Sequence, residues 1–243
     1  ADIIIGTNYF NYSNPIDNNN DGFTDVTLQD RFSSFTKFNF KRKSKKALSI
    51  AGRYVYEDRW GGDMKWTPKF RGGDSIYGES IYTSRWETFG TYELPLKEKI
   101  DFQFSANGHN QNSVYGDMAY IASQQVLFGQ FLWHKKIKNH QLLTGLVYRL
   151  TEYDDNTPAT RRTSVTHLPG AFVQDEIKLN KQNIILLGAR YDYNSIHGNI
   201  FTPRFNYKWN SKNKKNILRW SVGNGYRVAN VFTEDHAALT GAR

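Results

Sequence analysis

The chain has 243 residues, no cysteine, a formal net charge of +9, and 16 Phe, 15 Tyr and 6 Trp at a mean hydropathy of −0.66. The missing cysteines exclude a disulfide framework, and no run of about 18 apolar residues exists to form a membrane-spanning helix. Many aromatics in a polar chain fit a β-rich protein, either soluble or a membrane barrel in which only alternate residues need be apolar.

Ala1 opens without a charged or apolar leader, and Asp2 to Tyr12 reads at once as a strand. With Thr240-Gly-Ala-Arg243 at the other end, the expectation is an internal piece of a longer protein. Residues 13–26 follow as a long polar connection. Inside it, Asp17, Asn19 and Asp21 stand at positions 1, 3 and 5 of a calcium-type loop, Gly22 at 6, the Phe23 carbonyl at 7 and Asp25 at 9. Position 12 is Leu28 in place of the bidentate Glu, with Asp30 nearby. The same residues suit a plain polar turn, since Asn and Asp tolerate left-handed backbone. The only cofactor expected is therefore this candidate calcium.

Period-two alternation then recurs along the chain. Leu48, Ile50, Tyr54 and Tyr56 oppose Ala47, Ser49, Ala51 and Arg53. Phe102, Phe104 and Ala106 oppose Asp101, Gln103 and Ser105, and Leu142, Leu146, Tyr148 and Leu150 oppose Gly145, Val147 and Arg149. Leu218, Trp220 and Val222 do the same against Ile217, Arg219 and Ser221. About eleven strands fit, most of them as long as the roughly 9–11 residues a tilted membrane strand requires. The prolines sit off the strand centres, with Pro169 and Pro203 expected where strands begin.

Two classes of connection alternate between these strands. The short ones, at 41–46, 95–99, 135–139, 178–183 and 208–216, hold 16 of the 32 Lys and Arg residues and a single acid, Glu98. The long ones, at 13–26, 59–80, 108–122 and 153–166, are rich in Gly, Asn, Asp and Tyr. This ordering predicts strands running up and down with a basic rim at one end. Aromatics also sort into two groups. Phe38, Phe40, Tyr92, Phe102, Phe104, Phe131, Trp133, Tyr207, Trp209 and Trp220 lie near the short turns; Tyr9, Phe10, Tyr54, Tyr56, Trp60, Trp86, Tyr148, Tyr191, Tyr193 and Tyr226 lie towards the long loops. Two belts are the mark of a transmembrane barrel with short turns on one side and longer loops on the other. The positive charge lies at the end opposite most loop aromatics, so no nucleic-acid groove forms and no nucleic-acid partner is expected. No catalytic residues emerge. The six histidines lack metal-ligand spacing, and Glu234, Asp235 and His236 have no nucleophile elbow beside them, so an enzyme is not expected. Arg53, Arg149, Arg190, Asp192, Arg204 and Arg227 are read as lumen-lining charges.

Gly170-Ala-Phe-Val-Gln-Asp-Glu-Ile-Lys-Leu179, Leu187-Gly-Ala-Arg-Tyr-Asp-Tyr193, Phe201-Thr-Pro-Arg-Phe205 and Gly223-Asn-Gly-Tyr-Arg-Val-Ala-Asn-Val-Phe-Thr-Glu-Asp-His236 resemble, in that order, barrel strands of TonB-dependent outer-membrane receptors of the Bacteroidota type. The resemblance implies an antiparallel up-and-down transmembrane β-barrel, with residues 1–243 as about 11 strands of a 22-stranded barrel and no plug domain in this chain. It implies outer-membrane localisation and, as partners, outer-membrane lipid, a TonB energy-coupling protein acting through the N-terminal region, and a scarce small-molecule ligand such as a siderophore or cobalamin. Trp60, Trp66, Tyr77, Tyr115 and Tyr120 are the loop candidates for touching it. A passive porin-like channel and a soluble glycan-binding β protein are the alternatives.

Overall fold

In a computed structural model of the protein, residues 1–158 and 160–227 are described. They form eleven strands: β1 (Asp2–Tyr12), β2 (Leu28–Asn39), β3 (Leu48–Gly62), β4 (Gly78–Glu93), β5 (Lys99–Tyr115), β6 (Met118–Ile137), β7 (His140–Asp155), β8 (Ser164–Lys178), β9 (Asn183–Asn194), β10 (Gly198–Asn210) and β11 (Ile217–Gly223). A single 3₁₀ turn, Pro68–Phe70, is the one helical element among the described residues. All eleven strands pair antiparallel in chain order within one sheet. β1 and β11 each pair on one side only, so the sheet is open over the described residues. Typical strands of soluble sheets are near five or six residues; β5 has 17 and β6 has 20.

The five basic connections all lie at one end of this meander, as expected. Two details differ from the sequence reading. Residues 108–122 are not a long loop: β5 and β6 run through them and meet in a hairpin at Gly116 and Asp117, where Gly116 takes φ +63. Only a register that spans strands shows this, because alternation fades where both faces turn polar. Pro169 and Pro203 also lie inside β8 and β10 instead of at their starts. Each is paired on one side, Pro169 to Tyr148 and Pro203 to Ala189, while the ladder on its other side begins one residue later, at Gly170 and Arg204. The missing N–H therefore falls where no partner is waiting.

Register decides the faces. Across β3 to β7 one row joins Leu48, Tyr92, Phe102, Phe131 and Leu146, and the next joins Ile50, Gly90, Phe104, Gly129 and Tyr148. Above them come Gly52, Thr88, Ala106, Leu127 and Leu150, then Tyr54, Trp86, Gly108, Gln125 and Glu152. Ile50, Tyr54, Trp86, Leu127, Phe131, Leu146 and Tyr148 on this face are exposed. The opposite face carries Arg53, Glu87, Asp101, Gln103, Gln111, Gln130, Arg149, Arg190 and Asp192, and most of the buried residues belong to it, Ala51, Val126, Leu132 and Val147 among them. A sheet whose polar face is the more enclosed one is curved towards that face. This is the inside-out arrangement of a membrane barrel wall, apolar outside and polar within.

Small residues let the outer aromatics lie flat. A Cβ on Gly108 would run into the Trp86 indole, its cross-strand partner, and one on Gly90 into the Phe104 ring. The belt residues that lie within the strands are on this outer face with one exception, while Tyr226, past the end of β11, stands near the inner-face Asp192 and Arg190. Phe10 belongs to the inner face, opposite Arg31, whose guanidinium lies 5.6 Å from its ring centroid.

Candidate functional site

The long-loop end of the inner face is the first place where side chains converge. Tyr120 on β6 is 3% exposed, and its hydroxyl lies 3.1 Å from that of Tyr153 on β7. The Tyr153 hydroxyl in turn donates to Asp155 at 2.5 Å. Asp155 also accepts from the Thr157 backbone N–H and hydroxyl and from the Thr160 hydroxyl, so its carboxylate anchors the start of the β7–β8 connection. Beside it the buried Gln111 amide donates to Ser113 at 2.8 Å. Tyr115 belongs to the same inner face at the top of β5, across from Glu79 and Met118. A wall of phenols, amides and carboxylates on the inner face offers hydrogen bonds to a polar ligand.

Further along the inner face are two ion pairs between arginine and an acid. Arg53 meets Glu87 at 2.7 Å, and Arg190 meets Asp192 through two contacts of 2.7 Å. Asp192 is fully buried beneath Gly170, where any Cβ would strike its carboxylate. Gly170 faces Asp192 across the β8–β9 ladder, so the glycine opens the space the ion pair occupies.

The five aromatic candidates do not form one site. Tyr115 and Tyr120 share the inner face, but as strand residues, and Tyr120 is buried. Trp60 lies near the end of β3 on the outer face, paired with Ser80. Trp66, 3% exposed, packs with its ring centroid 5.2 Å from that of Trp60 and covers Gly78, whose missing Cβ makes room for the indole. Trp66 is a packing residue of the 63–77 connection and is not presented to a ligand. Tyr77 is exposed, its hydroxyl bonded to Glu79 at 2.5 Å, and that bond pushes its phenol up to about 12.

Residues 63–77 are stitched to the outer face. The Arg71 guanidinium donates to Ser80 and to both oxygens of Asn112, and lies 4.6 Å from the Tyr82 ring centroid. The loop holding the calcium-type residues docks on the same region through Thr24 N–H to the Gly62 carbonyl and Met64 N–H to the Gly22 carbonyl. Within that loop, Asp17 accepts from the N–H groups of Asp21 and Gly22, Asn19 from that of Asp21, Asp21 from that of Phe23, and Asp25 from the Asn18 backbone and amide. These side-chain oxygens hold the loop's shape by accepting from its own N–H groups, and their remaining lone pairs are uncommitted. Among the described residues no group of three or more His, Asp or Glu side chains is placed to hold a metal. No helix among them is long and apolar enough to cross a membrane, which says nothing about strands.

At the opposite rim, Lys135 and the Trp133 indole both bond Glu98 and hold its carboxyl below the usual range.

Membrane-length antiparallel strands with an apolar, twice-belted outer face and a charged inner one define a section of an outer-membrane β-barrel wall. A family model described as TonB dependent receptor-like, beta-barrel matches residues 1–238, and the chain belongs to that family, whose members are transport receptors of the Gram-negative outer membrane. The fold is similar to that of the siderophore receptor PirA from Pseudomonas aeruginosa (TM-score 0.62, 10% identity, 84% of this chain and 35% of that one). It is also similar to PirA from Acinetobacter baumannii (0.59, 12%, 84% and 34%) and to a structure of an FpvAI–pyocin S2 complex (0.54, 11%, 76% and 33%). The chain thus spans about a third of the length of these proteins. No curated protein matches it.

Proposed function

We propose that this chain is one side of the barrel of an outer-membrane receptor that binds a scarce iron-chelate ligand of the siderophore class and imports it with energy supplied through a TonB-type protein. The observation that carries the reading is the two faces: an apolar outer wall of the height lipid demands, and an inner wall that carries the charges, the Arg53–Glu87 and Arg190–Asp192 ion pairs among them. The family match and the siderophore receptors among its structural neighbours support the ligand class. On this reading the remaining strands and a plug come from elsewhere in the same polypeptide, residues 1–243 being a partial barrel domain. Ligand contacts come from the mouth of the inner wall, with Tyr115, Tyr120, Tyr153 and Asp155 as its polar members. Cobalamin is the other ligand class the resemblance brought forward, and nothing in the wall itself selects it.

The test is uptake of radioactive iron by cells that carry the full-length receptor as their sole route. A ferric siderophore should enter only while the inner-membrane proton gradient is intact. Uptake that survives collapse of the gradient would instead make the protein a passive channel.

A further inference from the structure

The register places a polar strip on the outer face directly above the upper aromatic belt. Tyr56, Ser84, Asn110, Ser123 and Asp154 are successive cross-strand partners on β3, β4, β5, β6 and β7. With strands about 4.8 Å apart, five of them span roughly 19 Å. The row above adds Tyr82, Asn112 and Ile121, with Asn156 beside Ile121 through its N–H bond to the Ile121 carbonyl. The two rows line a groove of about 480 Å³. Ser84, Asn110, Ser123 and Asp154 make no side-chain hydrogen bond to another described residue, although each could.

The chemistry of the strip is selective. Hydroxyls, an amide and a carboxylate alternate beside two tyrosine rings, which suits the hydroxyls and apolar faces of a sugar. No Lys or Arg lines the groove, Arg71 beside it is engaged by Ser80, Asn112 and the Tyr82 ring, and Asp58, Glu152 and Asp154 border the strip, so its lining offers a phosphate carboxylates in place of positive charge. The strip is also placed against lipid. Polar residues begin at Asp58 on β3, one row lower at Ser84 on β4 and Asn110 on β5, and a further row lower at Gln125 and Glu152 on β6 and β7. The membrane border therefore crosses the rows obliquely, as tilted strands require. Tyr56 lies at that border, while Asp154 stands clear of it. A chain of sugars rising from the bilayer surface would follow this line.

We infer that this strip is a docking site for the uncharged saccharide headgroup of an outer-leaflet glycolipid, its lipid-proximal sugar against Tyr56 and its outer sugars along Asn110, Ser123 and Asp154. This rests on the membrane-barrel reading, but uses the face that reading leaves without a role. The full-length receptor is reconstituted in nanodiscs of phosphatidylcholine containing lactosylceramide or, separately, phosphatidylglycerol, and the lipids retained after delipidation are counted by native mass spectrometry. The wild type should retain lactosylceramide in preference to phosphatidylglycerol. Asn110→Leu with Ser123→Leu, on a solvent-facing row where neither side chain supports the fold, should lower that retention roughly tenfold, the loss expected from two or so hydrogen bonds. Equal retention of both lipids, or a double variant that retains as much as the wild type, overturns the proposal. So does displacement by free lactose at matching concentration, which would assign the strip to soluble sugar. Insertion into the nanodisc, read by heat-modified gel migration, is scored separately; its failure would instead refute the membrane reading on which the site rests.

Discussion

Leu146 separates a lipid-facing wall from a water-facing one more sharply than any other residue. It is 65% exposed on the outer face, midway along β7 between His140 at the turn and Glu152, where the polar residues begin. Those twelve steps of about 3.4 Å, on a strand tilted about 40°, rise roughly 31 Å, slightly more than the ~25 Å apolar band of such barrels, and place Leu146 at the midplane. Leu146→Arg should therefore cost about 2–4 kcal/mol, and Glu152→Arg at the border only about 0–1 kcal/mol. In a soluble sheet both substitutions would fall within about 0.5 kcal/mol of neutral, because an exposed leucine replaced by arginine removes no contact and buries no charge. Urea unfolding of the full-length receptor folded into phosphatidylcholine vesicles, followed by tryptophan fluorescence, measures the difference. Equal stabilities for the two variants would refute the assignment of the outer face to lipid.

Gly170→Ala should drive the Asp192 carboxylate out of its pair with Arg190 and lower stability by about 1–3 kcal/mol, the cost of a displaced buried charge-assisted bond, in the same unfolding assay. Trp66→Ala should open the 63–77 connection without unfolding the barrel, seen as new tryptic cleavage at Lys69 and Arg71 while heat-modified migration stays unchanged. Tyr77 keeps its proton more tightly when folded, so its contribution to stability is complete below pH 10 and fades as pH rises through about 12; Tyr77→Phe should remove that alkaline step from a spectrophotometric titration. Chelation of divalent ions should leave the melting temperature unchanged, because the Asp17 to Asp25 loop is closed by its own backbone donors. A fall on adding a chelator would show that an ion holds it.

Most of the architecture is legible in the order of residues, because a strand's side-chain period is two and needs no distant information. Alternation at Leu48 to Tyr56 and at Leu142 to Leu150 marks a face, lysines at residues 41–46 mark a turn, and their order along the chain predicts the meander and its basic rim. Trp60 and Trp66 show where this stops. Both read as loop aromatics open to a ligand, yet one is a strand residue of β3 on the outer wall and the other is buried against Gly78, a contact between residues whose pairing depends on a fold-back of residues 63–77. Phe10 likewise read as a belt residue, but β1 parity places it inside.

The convergence of Tyr120, Tyr153 and Asp155, and the row from Tyr56 to Asp154, are invisible in sequence for the same reason. Each joins strands separated by turns, and a shift of one residue in a single hairpin would move the whole set to the opposite face. Composition and periodicity by themselves determined that this protein is a wall with one apolar and one polar side and with all its short basic turns at one edge. Cross-strand register, set only when hairpins such as Gly116-Asp117 close and small residues admit their neighbours' rings, decided which side chains stand together on each side of it.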